Sequence, residues 1–277
     1  MQFRRADTAV MENASFDAYS PRQIAERLEA ACVAKAATPL LSLVMLGGLA
    51  GAFIGLGALF SIIVLSDPDL GFAASRVLGG AVFSLGLLLV VVAGAELFTG
   101  NNLLAMAWAQ GAVTTRDVLQ NWAVVCGANF AGAAGLALLV FLSGHAEMND
   151  GALGHTYLQI AAAKAALPFW SAFFRGVLCN VLVCMAVWMT LAGRSVTDKA
   201  VAVLFPISAF VAAGFEHSVA NMYLFPLATL LQLGQGAPLE LSWLWTNLVP
   251  VIAGNLVGGS VLVALVYYVI YRRPARA

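Results

Sequence analysis

GFEHSVANMYLFP, residues 214–226, sets Glu216 and His217 side by side in an apolar run long enough to cross a bilayer. An ionisable residue at that depth is costly and belongs beside a partner or a water-lined cavity. GAELFTGNN, residues 94–102, interrupts another long apolar run with the same Gly-x-Glu, so that Gly94 and Glu96 answer Gly214 and Glu216 at an offset of 120. Two matched interruptions in long apolar segments are the sequence pattern of broken membrane helices that meet at a transport site.

The rest of the chain agrees with a membrane setting. Its 277 residues are 61% hydrophobic and 10% charged, against about 25% charged in soluble domains. A span needs about 20 apolar residues, and six segments qualify, at 38–65, 75–110, 117–143, 160–192, 199–233 and 243–271. The expected fold is therefore an all-α integral membrane protein, with a pore domain at 38–271, an N-terminal segment at 1–37 and a tail at 272–277. The polar first 37 residues do not read as a cleavable leader. Before the first span, Ser20, Pro21 and Gln23 spell a capped helix start, and Ile24, Leu28 and Cys32 share one face of an interfacial helix.

The interruptions belong to a longer internal match. Ala34-Lys35-Ala36-Ala37-Thr38-Pro39 aligns with Ala163-Lys164-Ala165-Ala166-Leu167-Pro168 at offset 129, and Asn121, Asn129 and Gly132 align with Asn247, Asn255 and Gly258 at offset 126. The two repeats, about 34–143 and 163–271, hold three spans each, so the second enters the membrane inverted. With six spans both termini share a side. That side collects Arg4, Arg5, Arg22, Arg27, Lys35, Arg116, Arg194, Lys199, Arg272, Arg273 and Arg276, against Arg76 and Lys164 on the other. Both termini are accordingly expected in the cytoplasm. The inversion then sends Lys35 to the cytoplasmic mouth and Lys164 to the external one, where each draws anions.

At these residues the chain resembles the formate/nitrite transporter family. GAELFTGNN, AKAALPFWSAFFRGVLCNVLVCMAVW (163–188) and GFEHSVANMYLFP carry the resemblance, which runs over roughly 25–270. It implies an aquaporin-like fold with two broken helices, assembled as a homopentamer with a pore in each protomer of a bacterial inner membrane. It further implies a small monovalent anion as substrate, formate first, with nitrite or hydrosulfide as alternatives. By matching position His217 is the central histidine, Thr99 its facing threonine, Asn180 and Asn221 pathway asparagines and Lys164 the vestibule lysine. Leu87, Phe98 and Val183 fall at the cytoplasmic constriction, and Phe83 and Phe210 at the external one.

The chemistry of such a site can be read ahead. Broken helices leave N–H groups and dipole ends that favour an anion. His217 is expected neutral, able to give or relay a proton. Glu96 and Glu216 are expected to accept the orphan N–H groups at the breaks, with Arg175 available as counter-charge. A bare anion crossing a dry phenyl ring loses hydration that a neutral acid does not, so partners are an anion and a proton, or the anion alone in a wetted pore.

Other classes fit poorly. Net charge is zero, against nucleic acid. The three histidines, His145, His155 and His217, are scattered, without the cluster an enzyme or metal site needs, and no cofactor is implied. Cys32, Cys126, Cys179 and Cys184 form no CxxC pair and read as small buried hydrophobes. A water channel would need Asn-Pro-Ala at both half-helices, which the sequence lacks.

Overall fold

The computed structural model describes residues 18–273. Arg4, Arg5 and Arg276, counted above for orientation, lie outside the described residues. Eleven helices follow one another with no strand among the described residues. The first repeat is α1 (Pro21–Ala36), α2 (Leu40–Leu65), α3 (Phe72–Gly94), the short α4 (Phe98–Asn101) and α5 (Leu104–Ala109), and α6 (Thr115–Leu142). The second is α7 (Ala152–Ala165), α8 (Phe169–Thr190), α9 (Val196–Ala212), α10 (Ser218–Gly234) and α11 (Leu244–Tyr271), the last with π-helical turns at Leu244–Leu248 and Val257–Leu265.

Five helices are long and apolar enough to cross a bilayer: α2, α3, α6, α8 and α11. The remaining crossing is shared by α9 and α10, each 17 residues, because Gly214 breaks it. The span expected at 160–192 is in fact two elements. Lys164 and Ala165 end α7, and Pro168, which cannot continue a helix, caps the start of α8. The same AKAA-x-P string ends α1 and starts α2 at Pro39. Each repeat therefore opens with its own peripheral helix, and α7 is the counterpart of α1.

Close helix crossings make the bundle rigid. In lipid no hydrophobic drive separates helix from helix, so association rests on small residues that let backbones touch. A side chain at Gly132 on α6 would collide with the Gly48 carbonyl of α2, and one at Gly51 with the Asn129 carbonyl. The second repeat repeats the device: Gly254 and Gly258 on α11 lie against the Phe173 and Val177 carbonyls of α8. On the underside α1 is held by Arg272, which donates to Glu29 at 2.8 Å and Glu26 at 3.1 Å.

Gly132→Leu should force α6 off α2 and lose the monodisperse folded species on size-exclusion chromatography. Gly135→Leu, three residues on, where an added Cβ meets nothing within 4 Å, should change the Tm by no more than a degree or two. Equal behaviour of the two variants would refute the crossing as the determinant.

Candidate functional site

Both breaks have the same backbone design. α3 ends in a π-helical turn at Gly94, whose φ of +87° is left-handed, and α9 is followed by Gly214 at +72°; glycine takes that conformation without a Cβ penalty. The chain then runs extended through Ala95 to Leu97 and re-enters helix at Phe98, and in the second repeat re-enters at Ser218.

Irregular backbone at this depth must have its polar groups met by protein. Two asparagines do most of that work. Asn129 Oδ1 accepts the Phe98 N–H at 2.8 Å, while its Nδ2 donates to the carbonyls of Gly47 and Glu96 at 2.8 and 2.9 Å. Asn255 Oδ1 accepts the Ser218 N–H at 3.0 Å, and its Nδ2 donates to Gly176 and Glu216 at 2.8 and 3.0 Å. The Glu96 and Glu216 N–H groups go to the carbonyls of Leu46 and Arg175. The carboxylates were expected to take the orphan N–H groups; they do not. The sequence match of Asn129 with Asn255 was visible, but its role was not.

The carboxylates are instead bound to side chains. Glu96 accepts from Lys35 at 2.6 Å and Asn101 at 2.7 Å, and Asn101 also donates to Asn121 at 2.9 Å. Glu216 accepts from Lys164 at 2.8 Å and Asn221 at 2.7 Å, and Asn221 also donates to Asn247 at 2.7 Å. The counter-charge of Glu216 is thus Lys164 rather than Arg175. The two lysines, read from sequence as separate vestibule charges, are each locked to the glutamate of their own repeat.

Two vestibules lead to the breaks from opposite faces. On the face that carries α1, a cavity of about 460 Å³ is lined by Lys35, Glu96, Leu97 and Leu87. On the opposite face, one of about 230 Å³ is lined by Lys164, Glu216, Phe83, Phe210 and His217. Phe83 meets Phe210 edge-on at 5.6 Å, and Phe210 lies nearly parallel to the His217 ring at 5.8 Å. Phe98 and Val183 are buried in the core between the two cavities and line neither.

Where the vestibules approach one another, Thr99 Oγ1 and His217 Nε2 stand 3.1 Å apart. His217 is also the N-cap of α10: its Nδ1 accepts the Ala220 N–H at 3.1 Å. An amide can only donate, so Nδ1 is bare and the network assigns the proton to Nε2, which donates to Thr99. The imidazole is neutral, and the threonine hydroxyl keeps a hydrogen to give.

Asn180 and Asn221, expected on the pathway, are fully buried and engaged in hydrogen bonds. Neither lines a vestibule. Asn180 Nδ2 lies 3.2 Å from the Thr99 carbonyl, 2.7 Å from Asn102 Oδ1 and 2.7 Å from the Asn255 carbonyl, tying the two repeats together. Asn221 steadies Glu216. Among the described residues no group of three metal-ligating side chains occurs, and the four cysteines are unpaired.

A six-crossing inverted repeat with two capped breaks and a vestibule on each side defines a membrane channel. The chain belongs to the formate/nitrite transporter family, whose model matches residues 22–269. It is 38% identical to the formate channel FocA of Escherichia coli K12, over 93% of this chain and 96% of that one. It is 37% identical to the formate channel BtFdhC of Bacillus thuringiensis, over 92% and 96%. Among solved structures, a pentameric formate channel with formate bound superimposes with a TM-score of 0.77 at 35% identity, covering 84% of this chain and 98% of that one. An FNT family ion channel gives 0.80 at 29%, covering 90% and 98%. It is a transport protein of small anions, not an enzyme.

Removing one partner of a buried ion pair costs about 3–5 kcal/mol, less where the pair is wet. Lys164 and Glu216 side chains are 19% and 3% exposed, Lys35 and Glu96 33% and 10%. Lys164→Met should therefore lower the Tm more than Lys35→Met, and Lys164→Met/Glu216→Gln should recover part of the loss. An unrecovered double variant would show that the pair is not the unit. Asn255→Leu, which orphans the Ser218 N–H and the Glu216 carbonyl and removes the tie to the Gly176 carbonyl of α8, should cost at least about 3 kcal/mol.

Proposed function

We propose that the chain conducts formate together with a proton, as a homopentamer in a bacterial inner membrane with both termini in the cytoplasm. The observation that carries this reading is the Thr99–His217 bond, set at the start of two broken half-helices and walled by phenyl rings. The half-helix N-termini favour an anion, whereas the rings favour a neutral acid. The Nε2–H of His217 and the Thr99 hydroxyl can hold the anion at the boundary by hydrogen bonds, while the proton that makes it the neutral acid arrives through water from the vestibule, so that neither side chain is left deprotonated. The curated relatives bearing formate in their names support the substrate, and nitrite and hydrosulfide are not favoured. The solved relative described as pentameric supports the assembly. The distribution of arginine and lysine supports the orientation.

The alternative is conduction of the bare anion through a wetted pore. The two differ in charge moved: acid transport is electroneutral, and anion conduction carries current.

Purified protein in liposomes should take up labelled formate faster than protein-free liposomes, and faster again with an inward proton gradient. His217→Phe should reduce the proton-stimulated part at least about tenfold and also lower the Tm, since it removes the cap on the Ala220 N–H. His217→Asn, which can keep a side-chain acceptor for that N–H, should lose the proton-stimulated part with a smaller Tm change. Uptake that ignores the gradient and is matched by a formate current would overturn the coupling.

A further inference from the structure

The two vestibules share a Lys–Glu pair and differ in what else is charged. On the α1 face, Lys35 and Glu96 are the ionisable residues of the cavity lining apart from Cys32, and they cancel. On the opposite face, Lys164 and Glu216 cancel at 2.8 Å, yet Arg76 and Arg175 line the same cavity with no further carboxylate. The formal charge is then zero on one side and two positive on the other.

The two arginines are not equally free. Arg76 spends Nε and one terminal nitrogen on the last carbonyls of α9, donating to Ala212 at 3.1 Å and Val211 at 3.0 Å. It is a helix cap as well as a charge. Arg175 is exposed, and its guanidinium has no hydrogen-bond or ion-pair partner among the described residues. Only its backbone is engaged, by the Glu216 N–H. Its planar fork matches a carboxylate better than an ammonium does.

We propose that Arg175, and not Lys164, is the first binding point for a carboxylate or other planar monoanion entering from the face opposite α1, and that this makes half-saturation of the pore one-sided. Lys164 is occupied in holding Glu216 and presents little net charge to the vestibule. Arg175 collects the anion ahead of the Phe83–Phe210 ring. This deepens the formate reading and rests on it for the identity of the ion.

Passive permeability at low concentration must be equal in both directions when no gradient exists. A collector on one face therefore shows in the half-saturation concentration from that face. A single charge at vestibule range through water is worth about two- to fivefold at low salt.

The test uses right-side-out and inverted vesicles from the same cells, with labelled formate and labelled nitrite run in parallel. Arg175→Gln should raise the half-saturation concentration about two- to fivefold in one vesicle orientation and leave the other unchanged. Arg175→Lys should recover part of it, and the difference should shrink in high salt. The proposal is overturned if half-saturation is unchanged in both orientations. It is equally overturned if both orientations change alike with a lower maximal rate that salt does not affect, since that marks a structural role. Wild-type vesicles that carry nitrite and not formate would overturn the proposed substrate alone, and the nitrite half-saturation would still decide the role of Arg175.

Discussion

Everything in this protein depends on satisfying backbone polar groups where two helices are broken inside a membrane. Each unmet N–H or carbonyl at that depth costs as much as a good interaction supplies. Asn129 and Asn255 meet this demand with three bonds each. Their reach sets the rest. Asn129 bonds Gly47 across the α2–α6 crossing, and Asn255 bonds Gly176 across the α8–α11 crossing. Both crossings are closed to side chains by glycine. The glycines are thus part of the clamp, because a wider crossing would carry the asparagine out of range.

The frame is symmetric and the centre is not. Lys35, Glu96, Asn101 and Asn121 repeat as Lys164, Glu216, Asn221 and Asn247 with nearly the same distances. At the offset of 120 that relates the breaks, however, His217 answers Leu97, and Thr99 answers Val219. The facing pair is built from non-equivalent positions, one from each repeat. Duplication supplied two entrances and two breaks, and substitution at the meeting point left one titratable group between them. A symmetric pair of histidines would put two cations together whenever both were protonated, which like-charge repulsion opposes.

The broken helices were legible because a buried charge in an apolar run has few explanations, and two at matched positions have fewer. The crossing glycine and asparagine positions were legible as matches, since Asn121-x7-Asn129-x2-Gly132 recurs intact. Their meaning was not. An asparagine clamp spans 82 residues between Asn129 and Gly47, and no local pattern announces a partner at that distance. The Lys–Glu pairs were hidden for the same reason, although both members lay in repeat-matched strings. Helix α7 was merged into the fourth span because its apolar residues run on almost without interruption toward Pro168. Only comparison with α1, whose polar character made it visible, separates it. Only its matching position in the resembled family puts Asn180 on the pathway; its bonds to the Thr99 and Asn255 carbonyls, which tie the repeats together, have no signature in the sequence.

These ties bear on how an ion can cross. Inverted repeats commonly work by rocking one half against the other around a fixed site. Here Asn180, on the second repeat, binds the Thr99 carbonyl and Asn102 side chain of the first, and Ser260 binds the Asn102 carbonyl. Thr99 and His217 bridge the repeats again at 3.1 Å. Rocking would break all of these at once, among side chains that are buried. The cheaper degrees of freedom are side-chain ones: the Phe83 and Phe210 rings, and the hydroxyl hydrogen of Thr99. Those move within a standing frame, so the geometry is that of a channel narrowed by a phenyl ring rather than of a carrier whose barrier is the repacking of its halves.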